Sequence, residues 1–278
     1  MSGIRPRVLS FICIFWFFLI FSCDRSTYDI HLESFVADMH NDVLRRAIEG
    51  QNVLKYHPES HSDLEKFKLG GVDLQVFSIS VRPDEKDYKF FENANELINK
   101  LNFLISRVPE AWGLAKSYQD IIYNSRKNKM SCIIGVEGGH IIGRDISKLE
   151  DLHGKGMRYL GLTCNNSNNI ASSAKDETLN RDSLPNIGLS KFGSEVVKKC
   201  NDLGVIIDIS HAGEQAFWDV IDQSQEPIIA SHSSVYALCP HYRNLKDDQI
   251  KAIAKTGGAV FINFYPGYID STFQQKAE

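Results

Sequence analysis

The sequence predicts one α/β barrel domain, and three observations carry that prediction. Seven short, nearly continuous apolar runs recur along the 278 residues. Helix-spaced amphipathic stretches lie between them, the pattern of a parallel sheet covered by helices. Several of the runs end in a histidine, aspartate or glutamate, so one end of the sheet collects polar side chains. Seven such strands point to a TIM-type barrel rather than an open sheet. No G-x-G-x-x-G follows the first run, which weighs against a dinucleotide-binding fold. A hydrophobic content of 43% suffices for one full core, and a net charge of -4 leaves no basic excess for nucleic acid.

The chain opens with a segment outside the barrel. Arg5 and Arg7 precede the apolar run Val8 to Phe21, and the run closes on Ser22 and Cys23. A basic start, a run near the short end for a membrane span and a small closing residue predict an export signal over residues 1–22. "IFSC" resembles a loose bacterial lipobox, with bulky Phe21 where a small residue is more usual. It implies a lipidated Cys23, a linker over 23–34 and membrane attachment outside the cytoplasm. An uncleaved anchor is the alternative. The barrel is assigned to 35–278.

Within it the strand candidates are "SFVADMH", "GVDLQVFSISV", "SCIIGVEGG", "MRYLGLT", "GVIIDISH", "PIIASHS" and "GAVFINFYP". Helices are expected at "NANELINKLNFLISRV", with Leu97, Leu101 and Leu104 on one face, and at "SKFGSEVVKKCNDLG", capped by Ser190 and stopped at Gly204. "EQAFWDVIDQS" and "KDDQIKAIAKTGG" complete the set. Cys132, Cys164, Cys200 and Cys239 are scattered without a C-x-x-C pair, which argues against a structural zinc knuckle and leaves a disulfide open.

In a barrel the strand C-termini converge on one face, and that face carries the chemistry. His40, Asp42, Glu137, His211 and His232 are all placed there. His40-x-Asp42 puts two ligand types on one side of an extended segment. A buried Glu137 needs a partner, either a salt bridge or a metal. His211 and His232 end successive strands, each beside a serine. One strand-end histidine is ordinary packing; three facing two carboxylates are not. Imidazole and carboxylate suit zinc, and five ligands suit two metals about 3.5–4 Å apart sharing a carboxylate. His140 reads as a loop residue. Arg243, after the His232 run, is matched to a substrate carboxylate. Its alternative is a surface arginine paired with Asp247 or Asp248.

Taken together these residues resemble the membrane (renal) dipeptidase family of zinc peptidases. "DMHNDVL" is similar to its first-strand motif and "GVEGGH" to the segment with its bridging glutamate. "DISH" and "SHSS" are similar to its paired histidines, and "CPHYRN" to the loop with its substrate-binding arginine. The likeness runs from about Phe35 to Pro266. It implies a (β/α)8 barrel with two zinc ions and hydrolysis of dipeptides by a metal-bridging water. By similarity His40 and Asp42 bind one zinc, His211 and His232 the other, and Glu137 bridges. Arg243 would hold the free C-terminal carboxylate of a dipeptide; the resemblance also implies tolerance of a D-residue at the second position.

Two departures accompany the resemblance. Members often carry a histidine after "LT" that contacts the reacting carbonyl. Here Cys164 stands there and is assigned to substrate binding; a thiol offers no imidazole N–H, so stabilisation of the carbonyl is expected to be weaker or to shift to Asn165 or Asn166, with an extra metal ligand at Cys164 as the alternative. The chain ends at Glu278, soon after the seventh run, so the eighth strand, the helices after it and the family's proton-shuttling aspartate are expected to be absent. Two rivals remain: another binuclear amidohydrolase acting on a small amide or lactam, and a non-catalytic surface lipoprotein. Oligomerisation is left open.

Overall fold

The computed structural model describes residues 26–82 and 89–273. The expected signal segment 1–22 and the expected lipidation site Cys23 lie outside the described residues. The chain divides into two units, Met1–Phe35 and Val36–Glu278. In the first, the stretch read as a linker carries a short exposed helix, α1 (Thr27–Glu33). Its capping box explains why it forms: Ser26 accepts from the Asp29 N–H while the Asp29 carboxylate accepts from the Ser26 N–H.

The second unit is a nearly closed parallel barrel. Its strands are β1 (Val36–Asn41), β2 (Val72–Ser80), β3 (Trp112–Leu114), β4 (Met130–Glu137), β5 (Met157–Gly161), β6 (Ile206–Asp208), β7 (Ile228–Ser233) and β8 (Ala259–Ile262). They pair in the order β1-β2-β4-β5-β6-β7-β8, and all the ladders are parallel. All seven expected strands are found. The three-residue β3 is an addition, paired with the first residues of β4 before β5 joins at Ile134.

Helices α2 (Val43–Ile48), α3 (Leu64–Leu69), α4 (Phe90–Arg107), α5 (Tyr118–Arg126), α6 (Ile146–Lys155), α7 (Ala174–Leu179), α8 (Lys191–Leu203), α9 (Glu214–Gln223) and α10 (Asp247–Lys255) fill the connections. Among the described residues, no helix is long and apolar enough to cross a membrane. Leu97, Leu101 and Leu104 of α4 are buried as their spacing requires. α8 starts at Ser190, whose hydroxyl accepts from the Gly193 N–H, and ends at Gly204 with φ 67°. Most of the core lies between sheet and helices. A second, smaller cluster of Leu74, Val76, Tyr159 and Ile229, backed by Ala37, Met39, Ile133 and Phe261, fills the barrel interior. Above it the strand C-termini open into a cleft.

Candidate metal centre

Glu137, the last residue of β4, is the hub of that cleft. Its Oε1 lies 2.9 Å from His211 Nε2 and 3.8 Å from His232 Nε2, and its Oε2 lies 3.9 Å from His40 Nε2. The two Nε2 atoms of His211 and His232 are 3.0 Å apart. The rings of His40 and His232 stack with centroids 3.8 Å apart, bringing β1 against β7. All four groups are buried or nearly so. Asp42 is different: its side chain is 57% exposed and sits 3.6 Å from His40 Nε2.

Each imidazole is held from behind. Tyr159 donates its hydroxyl proton to the Met39 carbonyl at 3.2 Å, so its oxygen accepts from His40 Nδ1 at 3.1 Å. Ser231 donates to Asp208 Oδ2 at 2.5 Å, so its oxygen accepts from His232 Nδ1 at 2.7 Å. The Asn165 Oδ1 accepts from His211 Nδ1 at 3.1 Å. With every Nδ1 engaged by a hydrogen-bond partner, all three Nε2 atoms turn toward Glu137. This is how a protein presents imidazole to a metal. It is also a poor arrangement without one. A neutral His211 has a single proton, yet it stands between two acceptors, Asn165 and Glu137, and faces a third nitrogen lone pair. A cation among these atoms satisfies them all, so the donor set fits a metal ion.

Burial opposes charge on His40, but Asp42, as hydrogen-bond acceptor, and the charges of Glu137, Asp42 and Asp208 raise it to about 9. Burial works against the Glu137 carboxylate too, yet the His211 hydrogen bond and the neighbouring imidazoles hold it well below the usual range. His211 is lowered by burial and by the Arg243 charge. His232 is lowered further, by burial and by His40, Arg243 and His211. Burial and the Glu137 charge push the Cys164 thiol up to about 12.

Local sequence explains the positions. Gly135 is required because a Cβ there would lie 2.3 Å from the Tyr159 ring, and that ring's hydroxyl aims His40. His211 itself has φ 70°, a strained conformation for a non-glycine residue and one that clusters at functional sites. Asp208 accepts from the Ser210 and Ser231 N–H groups at 3.0 and 2.8 Å, locking the two histidine segments to each other.

Arg243 is 3% exposed, so it is not the surface arginine of the alternative reading. Its Nη2 donates to the His232 carbonyl at 3.2 Å, and its buried Nε has no partner. It lines the cleft that holds His40, Glu137, Cys164 and His232, and also an adjoining pocket reached past His211. His140, expected in a loop, lies in a single 3-10 turn, Gly139–Ile141, with its Nε2 2.7 Å from the Val81 carbonyl. Cys132, Cys164, Cys200 and Cys239 are free thiols. Two sets of three candidate ligands emerge: His40, Glu137 and His232, and Glu137, Cys164 and His211. Tyr159, Asp208 and Ser231, the residues behind the histidines, are not singled out by sequence reasoning. The available signal was their motif position: Asp208 three residues before His211, and Ser231 directly before His232.

The model of the membrane dipeptidase family (Peptidase family M19) matches residues 25–277. The chain belongs to the membrane dipeptidase family. Among the family's proteins, an uncharacterized dipeptidase of Schizosaccharomyces pombe is 32% identical over 260 residues, covering 87% of this chain and 62% of the relative. A probable dipeptidase from Pseudomonas aeruginosa superposes with a TM-score of 0.76 at 27% identity, over 87% of this chain and 62% of that one. A metallopeptidase from Rhodobacter sphaeroides, solved with a phosphinate mimic of the dipeptide L-Ala-D-Ala, gives 0.74 at 23% identity, over 84% and 75% of the two chains; this likeness shows the shared fold. This dipeptidase-family chain thus spans under two thirds of the length of the first two relatives.

Proposed function

We propose that this chain is the metal-bearing part of an exported dipeptidase that uses two zinc ions. The observation that carries the reading is the three imidazoles whose Nε2 atoms surround one buried carboxylate, with every Nδ1 already engaged. His40, Asp42, Glu137, His211 and His232 would hold the ions, with Glu137 shared. Bound there, a metal pair supplies a nucleophilic water at neutral pH and polarises the scissile carbonyl.

The protein's own groups do the rest. Buried Arg243, which lines the cleft and whose Nε has no partner, takes the substrate's C-terminal carboxylate. This selects dipeptides, because a longer chain would present a neutral amide to a desolvated guanidinium. Asn165 and Asn166 line the cleft as neutral polar groups near the reacting carbonyl. Tyr159, Asn165 and Ser231 fix the imidazole tautomers. Lipidation at Cys23 would tether the enzyme to the outer side of a membrane.

One experiment tests the reading: elemental analysis and hydrolysis assays on the full chain, with dipeptides and their C-terminal amides. About two zinc ions and a preference for the free acid are expected. Arg243→Ala should lose roughly 2–5 kcal/mol of acid binding, the range for stripping one partner from a buried charge pair, and lose little for the amide. Equal losses for acid and amide would refute the clamp, and a folded, metal-free protein would refute the centre.

A further inference from the structure

Cys164 is the one thiol in the cleft among the described residues, and its surroundings explain why it is there. Its Sγ, a carboxylate oxygen of Glu137 and an imidazole nitrogen of His211 all lie within 4.8 Å of one another. The loop that carries it is fixed at several points. The Leu162 carbonyl accepts from the Gly139 N–H at 3.1 Å and from the Asn168 side chain at 2.9 Å. The Asn165 carbonyl accepts from the Ser173 hydroxyl at 2.8 Å, while the Asn165 side chain aims His211. The residue that orients the imidazole therefore directly follows the thiol in a rigid loop. A sulfur and a nitrogen thus converge on the Glu137 carboxylate, whose Oε1 also faces His232 and whose Oε2 faces His40.

We propose that Cys164 is a metal ligand, forming with Glu137 and His211 a mixed sulfur, oxygen and nitrogen half-site beside an imidazole and carboxylate half-site that includes His40 and Glu137. This rests on the metal-centre reading above and deepens it. The two halves are chemically unequal. Thiolate is a soft donor and selects zinc or cadmium over magnesium, calcium or manganese, whereas the imidazole and carboxylate half is less discriminating. On binding, the metal–sulfur bond forms as the Sγ–H proton leaves to solvent, and no oxidant or reductant is needed. Three protein ligands leave a fourth position open, the pattern of a reactive rather than a structural zinc site.

The test is cobalt substitution of the full chain, read by absorption spectroscopy. Bound cobalt gives visible ligand-field bands whatever its donors, and a near-ultraviolet charge-transfer band only when sulfur coordinates. The expected result is both sets in the native chain, with the charge-transfer band lost and visible bands retained in Cys164→Ser. Cadmium affinity should fall in that variant by more than the roughly 10–100-fold that losing an outer-shell partner costs. Cadmium-113 resonance on the unmutated chain supplies a readout that needs no variant: one resonance shifted downfield by sulfur and one not. Cobalt bound without a charge-transfer band, a band that survives Cys164→Ser, or two sulfur-free cadmium resonances would overturn the ligand role while leaving the histidine centre standing. A folded chain that binds no cobalt would overturn the centre itself.

Discussion

β4 and β8 read alike in the sequence and differ in the fold. Both are short apolar runs with a β-branched bias. In β4 every residue except Ile133 is buried, whereas in β8 no residue is. The cause is the company each strand keeps. β4 pairs along its length with β2 on one edge and with β3 and then β5 on the other. β8 pairs with β7, and no ladder is formed on its other edge among the described residues. Beyond it Phe264 is 81% exposed, with Leu238, Tyr265 and Ile269 also exposed nearby. Apolar composition permits burial; neighbours on both edges and both faces produce it. The hub of the metal centre stands at the end of the strand with the most neighbours.

Substitutions can break this comparison, and the largest effect belongs to β4. Ile134 is fully buried, so Ile134→Ala should cost about 2–5 kcal/mol in urea unfolding, transfer and cavity terms together. Gly135→Ala comes next. Its new methyl would meet the Tyr159 ring, and overpacking of this kind costs about 1–3 kcal/mol. Metal binding should weaken with it, because the ring that moves is the one that aims His40.

Asp63 gives an intermediate case away from the sheet. It caps α3 by accepting from the Lys66 N–H at 2.9 Å and also takes the His57 N–H at 3.0 Å. Asp63→Ala should cost about 0.5–2 kcal/mol. Burial alone would raise the Asp63 carboxyl, but those two N–H groups and the Lys66 charge hold it below its ordinary value. Its stabilisation is therefore fully present above the unfolded-state value of about 3.9 and is lost as pH falls through the lower folded value. The gap between Asp63→Ala and the unmutated protein should be constant near neutrality and narrow in acid; a gap that widens in acid would contradict the assignment.

The smallest effect sharpens the contrast. Ile262 is 55% exposed, so Ile262→Ala should change stability by no more than about 0.5 kcal/mol. Phe264→Lys should leave the melting temperature unchanged and raise solubility, since it interrupts an exposed apolar patch. An Ile262→Ala loss as large as that of Ile134→Ala would mean that the outer side of β8 is covered in solution.

This contrast also marks how far the sequence could be read. Periodicity and caps located all seven strands of the barrel path and α8 with its Ser190 and Gly204 ends, because those signals are local. Strand C-termini share one face in any parallel barrel, so topology alone predicted that His40, Glu137, His211 and His232 would meet. What stayed hidden depends on contacts between distant segments. β3 is three residues long and has no period to detect. Tyr159 looks like a core aromatic until Gly135 admits its ring and His40 meets its hydroxyl. Asp208 looks like any strand-end acid until Ser231 is seen to bridge it to His232. The exposure of β8 follows from an edge, and an edge is not written in the strand itself.

The stack of His40 on His232 has a further consequence for the order of assembly. It joins β1 to β7, segments far apart in the described chain. Contacts so far apart in sequence form only after most of the intervening chain is organised, since loop closure must be paid before they reward it. No local fragment, however helical or sheet-like, can present this set of lone pairs. The cluster is therefore a checkpoint on its own scaffold: a pair of ions that draws on all three imidazoles is captured only by a chain whose barrel has already come round.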